Sequence, residues 1–192
     1  DVKKVKQKLT REDMLTPEEK EDLLDACGDN LRDKAFIAVI DDAGARAGEA
    51  LNTRIGHLVF GDNGTASIHV DGKTGEHDIQ LYLAVPYLVE WVNNHPKRSD
   101  KTAPLWLNNK GNHMNYASAR AMIKRRQDKV VKLKGGATTL QGKRIFITLF
   151  RHTEITRAAK WMAPQLMKLR HGWSKGSEML ENYEHLVNDD AS

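Results

Sequence analysis

Arg151, Trp173 and Tyr183 follow one another near the C-terminal end of the chain, in LFRHTEIT at 149–156 and GWSKGSEMLENYEHL at 172–186. A phenol is a weak nucleophile at neutral pH unless its target is made more electrophilic and the phenolate is accommodated. A guanidinium held against the non-bridging oxygens of a phosphodiester does the first through paired, charge-assisted hydrogen bonds. An indole N–H adds a further donor. Arginine, a donor and then tyrosine is therefore the set that covalent attack on a DNA phosphodiester requires. Tyr183 falls in a short helix-like segment that also carries Met179, Leu180 and Leu186.

Such chemistry needs more than one arginine, because two oxygens of a pentavalent phosphate carry the developing charge. It also needs a proton donor for the departing 5′ oxygen. The chain offers DDAGARAGEALNTRI at 41–55 and VDGKTGEHDIQL at 70–81. Together with the C-terminal run, these segments resemble the tyrosine recombinase (phage integrase) family, closest in wording to its archaeal integrases. The resemblance places the first family arginine on Arg46, with the acidic position on Glu49, and the hairpin lysine on Lys73. The His-x-x-Arg box falls on Thr148 to Arg151, the His/Trp position on Trp173 and the nucleophile on Tyr183. One position departs: Thr148 stands where the family usually has histidine. Threonine donates one hydrogen bond but cannot act as a base near neutral pH. His152 and His171 are nearby imidazoles, although neither occupies the matching position.

The resemblance implies a DNA strand transferase that works through a 3′-phosphotyrosyl link, without metal or cofactor. It implies double-stranded attachment-site DNA as partner, a tetramer on that DNA, and integration or excision of a viral or plasmid element. The isolated domain could be a monomer. A type IB topoisomerase-like nicking and resealing activity is the alternative enzyme. A DNA-binding domain that lost catalysis with the change to Thr148 is the non-enzymatic one.

Each residue also has a plain structural use. Arg46 could cap carbonyls or pair with Glu49, and Lys73 could simply be solvated in a turn. Trp173 and Tyr183 could be packed core.

Composition is compatible with this. The 192 residues suit one core rather than two full domains. Lys and Arg number 30 against 26 Asp and Glu, a mild excess, but cations bunch in KKVKQK at 3–8 and ARAMIKRRQDKVVKLK at 119–134. The second run reads as a basic amphipathic helix with Ala119, Ile123 and Val130 inward. Arg120, Lys124, Arg125, Arg126 and Lys129 are its candidate phosphate contacts. A single cysteine, Cys27, excludes a disulfide framework and fits a reducing cytosol. No stretch has the length of a membrane span, so the expected setting is cytoplasmic and DNA-associated. The eight histidines show no metal-ligand spacing.

The elements that must position these groups form a mainly α domain with a small antiparallel β-sheet, the α+β fold of a tyrosine recombinase catalytic domain. Thr16-Pro17-Glu18-Glu19 predicts a capped helix running to Gly28. A second helix carries Ala35, Phe36, Val39, Ile40 and Ala43 and ends at Gly44, with Arg46 just beyond. ASIHV at 66–70 and HDIQLYL at 77–83 predict a hairpin with Lys73 at its tip. PYLVEWV at 86–92 opens another helix, and a helix start is expected near Arg151. Residues 1–13 read as a linker remnant and 14–192 as the catalytic domain, without the N-terminal DNA-clamping domain usual in the family.

Overall fold

A computed structural model describes residues 9–72 and 75–173, together with Ser177, Met179 and Tyr183. Lys73, expected at the hairpin tip, lies outside the described residues, as do Leu180 and Leu186 of the expected C-terminal helical segment. Tyr183 itself is helical.

Helix α1 (Pro17–Asp25) starts where the sequence predicts. Thr16 Oγ1 accepts the Glu19 amide at 3.2 Å, and the Glu19 carboxylate accepts the Thr16 amide at 2.9 Å. That reciprocal pair satisfies two amides which a helix start leaves unpaired. The same carboxylate, almost fully buried, accepts from Lys143 Nζ at 2.8 Å and Thr139 Oγ1 at 2.7 Å. Burial alone would raise the Glu19 pKa. The bonds from Lys143, Thr139 and Thr16 outweigh it and hold the pKa below its ordinary 4.5. A depressed carboxyl contributes its stability in full above the unfolded value and loses it as pH falls through the folded one. Melting temperature is therefore expected to drop as pH descends below 4.5, with Glu19→Gln flattening that acid limb in a thermal-melt series.

Helix α2 (Leu31–Ala43) is the centre of the molecule, packed against α4 (Val85–Asn93) and α6 (Ile147–Ala158). Its unbroken buried run from Ala35 to Ile40 explains why no polar face is legible there. Phe36 meets Trp106 edge-to-face at 5.1 Å, and the indole of Trp106 donates to the Ala50 carbonyl at 2.8 Å. Between them lie the five-residue α3 (Ala47–Leu51) and a three-stranded antiparallel sheet, β1 (Leu58–Phe60), β2 (Ala66–Gly72) and β3 (Gly75–Leu81), in that spatial order. Ala66, Ile68 and Val70 face inward opposite Leu81, Ile79 and His77. This is the two-residue alternation that the sequence pattern requires. The strands extend two residues closer to the turn than the alternation indicates, and β3 ends two residues earlier.

Helix α5 (Tyr116–Leu133) buries Ala119, Ile123 and Val130 as expected, with Met122 and Gln127 beside them. Asn115 caps it by accepting from the Ser118 amide. Helix α7 (Pro164–Arg170), β1 and α3 are elements the sequence pattern does not announce. All three are too short to display a period. Among the described residues no helix is long and apolar enough to cross a membrane.

Candidate active site

Gly44 ends α2 in the left-handed conformation at φ 54°, which lets the chain reverse and place Arg46 at the start of α3. Arg46 Nη1 donates to Glu49 Oε1 at 2.7 Å, while the Glu49 carboxylate also accepts the Arg46 amide at 2.9 Å. Glu49 thus fixes both the backbone and the head group of this arginine. The Arg46 side chain remains 31% exposed and borders an open hollow of about 380 Å³ shared with His57, His69 and Gly72. The pairing with Glu49 is the structural use anticipated for Arg46. The exposed remainder of the guanidinium is what a phosphate would meet.

Arg151 is reached from the opposite end of the chain. The sequence placed it at a helix start, where a cation is disfavoured; it sits instead in the second turn of α6, beyond the strongest part of the dipole. It is only 6% exposed and donates through Nη1 to the Gly44 carbonyl, two residues before Arg46. Burial lowers its pKa, and the positive charge of Arg46 lowers it further, while Tyr183, Glu49 and Glu154 act in the other sense. Two arginines are therefore held within electrostatic reach of one another. Such a pair favours an anion between them.

Tyr183 is 5% exposed, and its hydroxyl lies 2.7 Å from Nδ1 of His152, the neighbour of Arg151 on α6. Burial raises the phenol's pKa and Arg151 pulls it back. Trp173 is buried beside His171, ring centroids 5.2 Å apart, and its indole N–H finds no acceptor among the described residues. A buried donor left unpaired costs about 1–3 kcal/mol. Thr148, half-buried in the first turn of α6, lies three residues before Arg151 and four before His152, so it shares their face.

A second layer holds these groups, and the sequence did not reveal it. Glu154 receives Arg170 Nε at 3.0 Å, and His171 Nε2 approaches its other oxygen at 3.0 Å without hydrogen-bond alignment. Burial would raise the Glu154 pKa, but His171 and Arg170 prevail and lower it. Burial likewise dominates at His171 and lowers its pKa against the pull of Glu154. Arg170 also donates to the Asp42 carbonyl at 2.7 Å. A Cβ at Gly44 would meet Glu154 Oε2 at 2.7 Å, and one at Gly172 would meet the His77 ring at 2.9 Å. Gly172 thereby lets β3 close on the loop that carries Trp173. The available signal was Glu154, an acid three positions after Arg151 on the same helix.

Of the five candidate phosphate contacts on α5, Arg120, Lys124, Arg125 and Lys129 are exposed. Lys124 pairs with Asp128 one turn on, an exposed bond of little strength. Arg126 departs from the expectation. Its guanidinium is held by the Asp33 carboxylate and donates to the Ala26 carbonyl, tying α5 to the start of α2 rather than facing outward.

The fold has counterparts among solved structures. No curated protein sequence matches the chain. Among solved structures, XerA recombinase superposes with a TM-score of 0.72 at 18% identity, covering 92% of this chain and 61% of that one. The Tn1549 transposon integrase in complex with circular intermediate DNA gives 0.69 at 20% identity, covering 100% and 66%. A lambda integrase dimer bound to a COC′ core site gives 0.65 at 12%, covering 93% and 48%. The chain thus spans about three fifths of XerA recombinase, and the fold it shares with these structures is the tyrosine recombinase catalytic-domain fold. The sequence model described as the Phage integrase family matches residues 13–188, nearly the whole chain, and the chain belongs to that family of tyrosine recombinases.

Proposed function

We propose that the chain is the catalytic domain of a site-specific DNA recombinase, with residues 1–13 a linker and 14–192 the catalytic unit. It cleaves and rejoins attachment-site DNA through a 3′-phosphotyrosyl intermediate. Tyr183 attacks the scissile phosphorus. Arg46, oriented by Glu49, and Arg151, braced on the Gly44 carbonyl, take the non-bridging oxygens. Trp173, whose indole N–H has no partner among the described residues, donates to the same phosphate, and Thr148 offers a hydroxyl. Lys73 protonates the departing 5′ oxygen as general acid. The arginines supply the positive charge that a nuclease would draw from a metal ion. Because the bond energy is kept in the phosphotyrosine, rejoining by a partner strand's 5′ hydroxyl needs no nucleotide cofactor.

The observation that carries this reading is the convergence of groups from both ends of the chain. Arg151 is bonded to the turn that presents Arg46, and its neighbour His152 meets the Tyr183 hydroxyl. A pure binding module has no use for a buried tyrosine held by His152 within reach of Arg151. On this reading the protein assembles as a tetramer on duplex DNA in the cytoplasm and serves integration or excision of a viral or plasmid element. The exposed cations of α5, Arg120, Lys124, Arg125 and Lys129, contact its backbone, without Arg126.

The test is covalent trapping on a nicked suicide duplex carrying a candidate attachment site, in EDTA, resolved on a denaturing gel. The parent should give a shifted protein–DNA band and Tyr183→Phe none. A band in both would move the nucleophile elsewhere. DNA binding without a band in either would return the chain to the class of binding modules.

A further inference from the structure

The contact between His152 and Tyr183 solves a problem that Thr148 creates. A phenol buried beside apolar surface holds its proton, and something must remove it as the oxygen reaches phosphorus. Threonine at 148 cannot. His152 lies four residues further along α6, on the same face, with Nδ1 2.7 Å from the phenolic oxygen. The rings stand 5.6 Å apart and tilted by 40°, so the in-plane lone pair of Nδ1 can be directed at the hydroxyl.

We propose that His152 is the proton acceptor for Tyr183, a catalytic residue that takes over base chemistry where the His-x-x-Arg box lacks its histidine. This rests on the reading of Tyr183 as nucleophile. In the forward step the Tyr183 O–H bond breaks and Nδ1 takes the proton. The phenolic oxygen bonds to phosphorus as the bond from phosphorus to the 5′ oxygen breaks, and that oxygen is protonated by the general acid. On rejoining, His152 returns its proton to the leaving phenolate. The role requires a neutral ring with its hydrogen on Nε2. Burial, with the charge of Arg151 beside it, lowers the His152 pKa from 6.5 and favours that form at neutral pH. Arg151 on the same helix and Tyr183 opposite are the charged and titratable groups acting on it among the described residues. His171 is not an equivalent base, since its ring is buried between Glu154 and Trp173.

The experiment is single-turnover nicking of negatively supercoiled plasmid in EDTA, a sequence-neutral probe, followed between pH 5 and 8. Parent, Tyr183→Phe, His152→Ala and His152→Asn are compared, each first shown to melt cooperatively. The parent rate should rise with pH through a value under 6.5 and then level off. His152→Ala should lose on the order of 100-fold, lose that inflection, and regain part of the rate with added imidazole. His152→Asn, which keeps a hydrogen-bonding atom at the δ position but takes no proton, should stay as slow as alanine. Full activity in His152→Asn, or His152→Ala within about threefold of the parent with the same pH profile, overturns the proposal. Nicking that persists in Tyr183→Phe instead overturns the underlying assignment of Tyr183.

Discussion

Arg151→Lys is expected to reduce DNA cleavage by about 10²–10³-fold, the loss found when one donor to a developing oxyanion is removed. Charge is not what it loses. The guanidinium presents five N–H donors in a rigid plane, and Arg151 already spends one on the Gly44 carbonyl. An ammonium at the end of a flexible stem can serve that carbonyl or a phosphate oxygen, but cannot hold both in a fixed geometry. The effect should therefore fall on the chemical step. Affinity for the same duplex, measured by fluorescence anisotropy at constant salt, should change by less than about tenfold, because cations spread along the domain share backbone binding. Cleavage by the Arg151→Lys variant within about threefold of the parent would show that Arg151 acts only as a structural tie.

Asp33→Ala should be strongly destabilising, by about 3–5 kcal/mol in a urea titration. The carboxylate is fully buried in the first turn of α2 and is shared by two guanidinia. Arg32 donates Nε at 2.8 Å to one oxygen, and Arg126 donates Nε at 3.0 Å to the other. Deleting the acid leaves two part-buried cations facing one another and removes a favourable charge from a helix start. Since a whole domain is held by only about 5–15 kcal/mol, such a loss approaches unfolding. Asp33→Ala together with Arg126→Met should recover part of the deficit, because the uncompensated charge goes with its partner. A double variant no more stable than the single one would place the cost in the helix start alone.

The pairing of Arg126 with Asp33 also marks the limit of what the sequence discloses. In ARAMIKRRQDKVVKLK all seven cations look alike, and the helical period separates buried from exposed positions only to within a residue. Arg126 lies on the boundary of the apolar stripe, and only the acid 93 positions away decides its role. Long periodic elements were legible: α1 from its capping box, α2 and its glycine stop, the β2–β3 hairpin, α4 and α5. Short ones were not, because α3, β1 and α7 draw their stability from tertiary packing rather than from a local pattern. Arg46, Arg151, Trp173 and Tyr183 stood out as a motif, and Arg151 is bonded to the turn before Arg46 and lies within electrostatic reach of Tyr183. The braces around them, Glu154, Arg170, His171, Gly44 and Gly172, are ordinary residues whose function is a matter of approach distance. His152 was noticed only as a neighbouring imidazole, since no spacing rule relates position 152 to position 183.

The bond between Arg151 and Gly44 closes a loop of 107 positions, Arg170 to Asp42 one of 128, and Leu15 to Thr153 one of 138. Contacts this distant in sequence form late, because the entropy of closing the loop comes before any reward from it. Arg46 and Glu49 are therefore made more than 100 positions before the second guanidinium that comes to lie beside them. On the proposed mechanism, the groups that cut DNA come together only after the segments bearing Arg151 and Tyr183 have been made, and a product truncated before them lacks both the second arginine and the nucleophile.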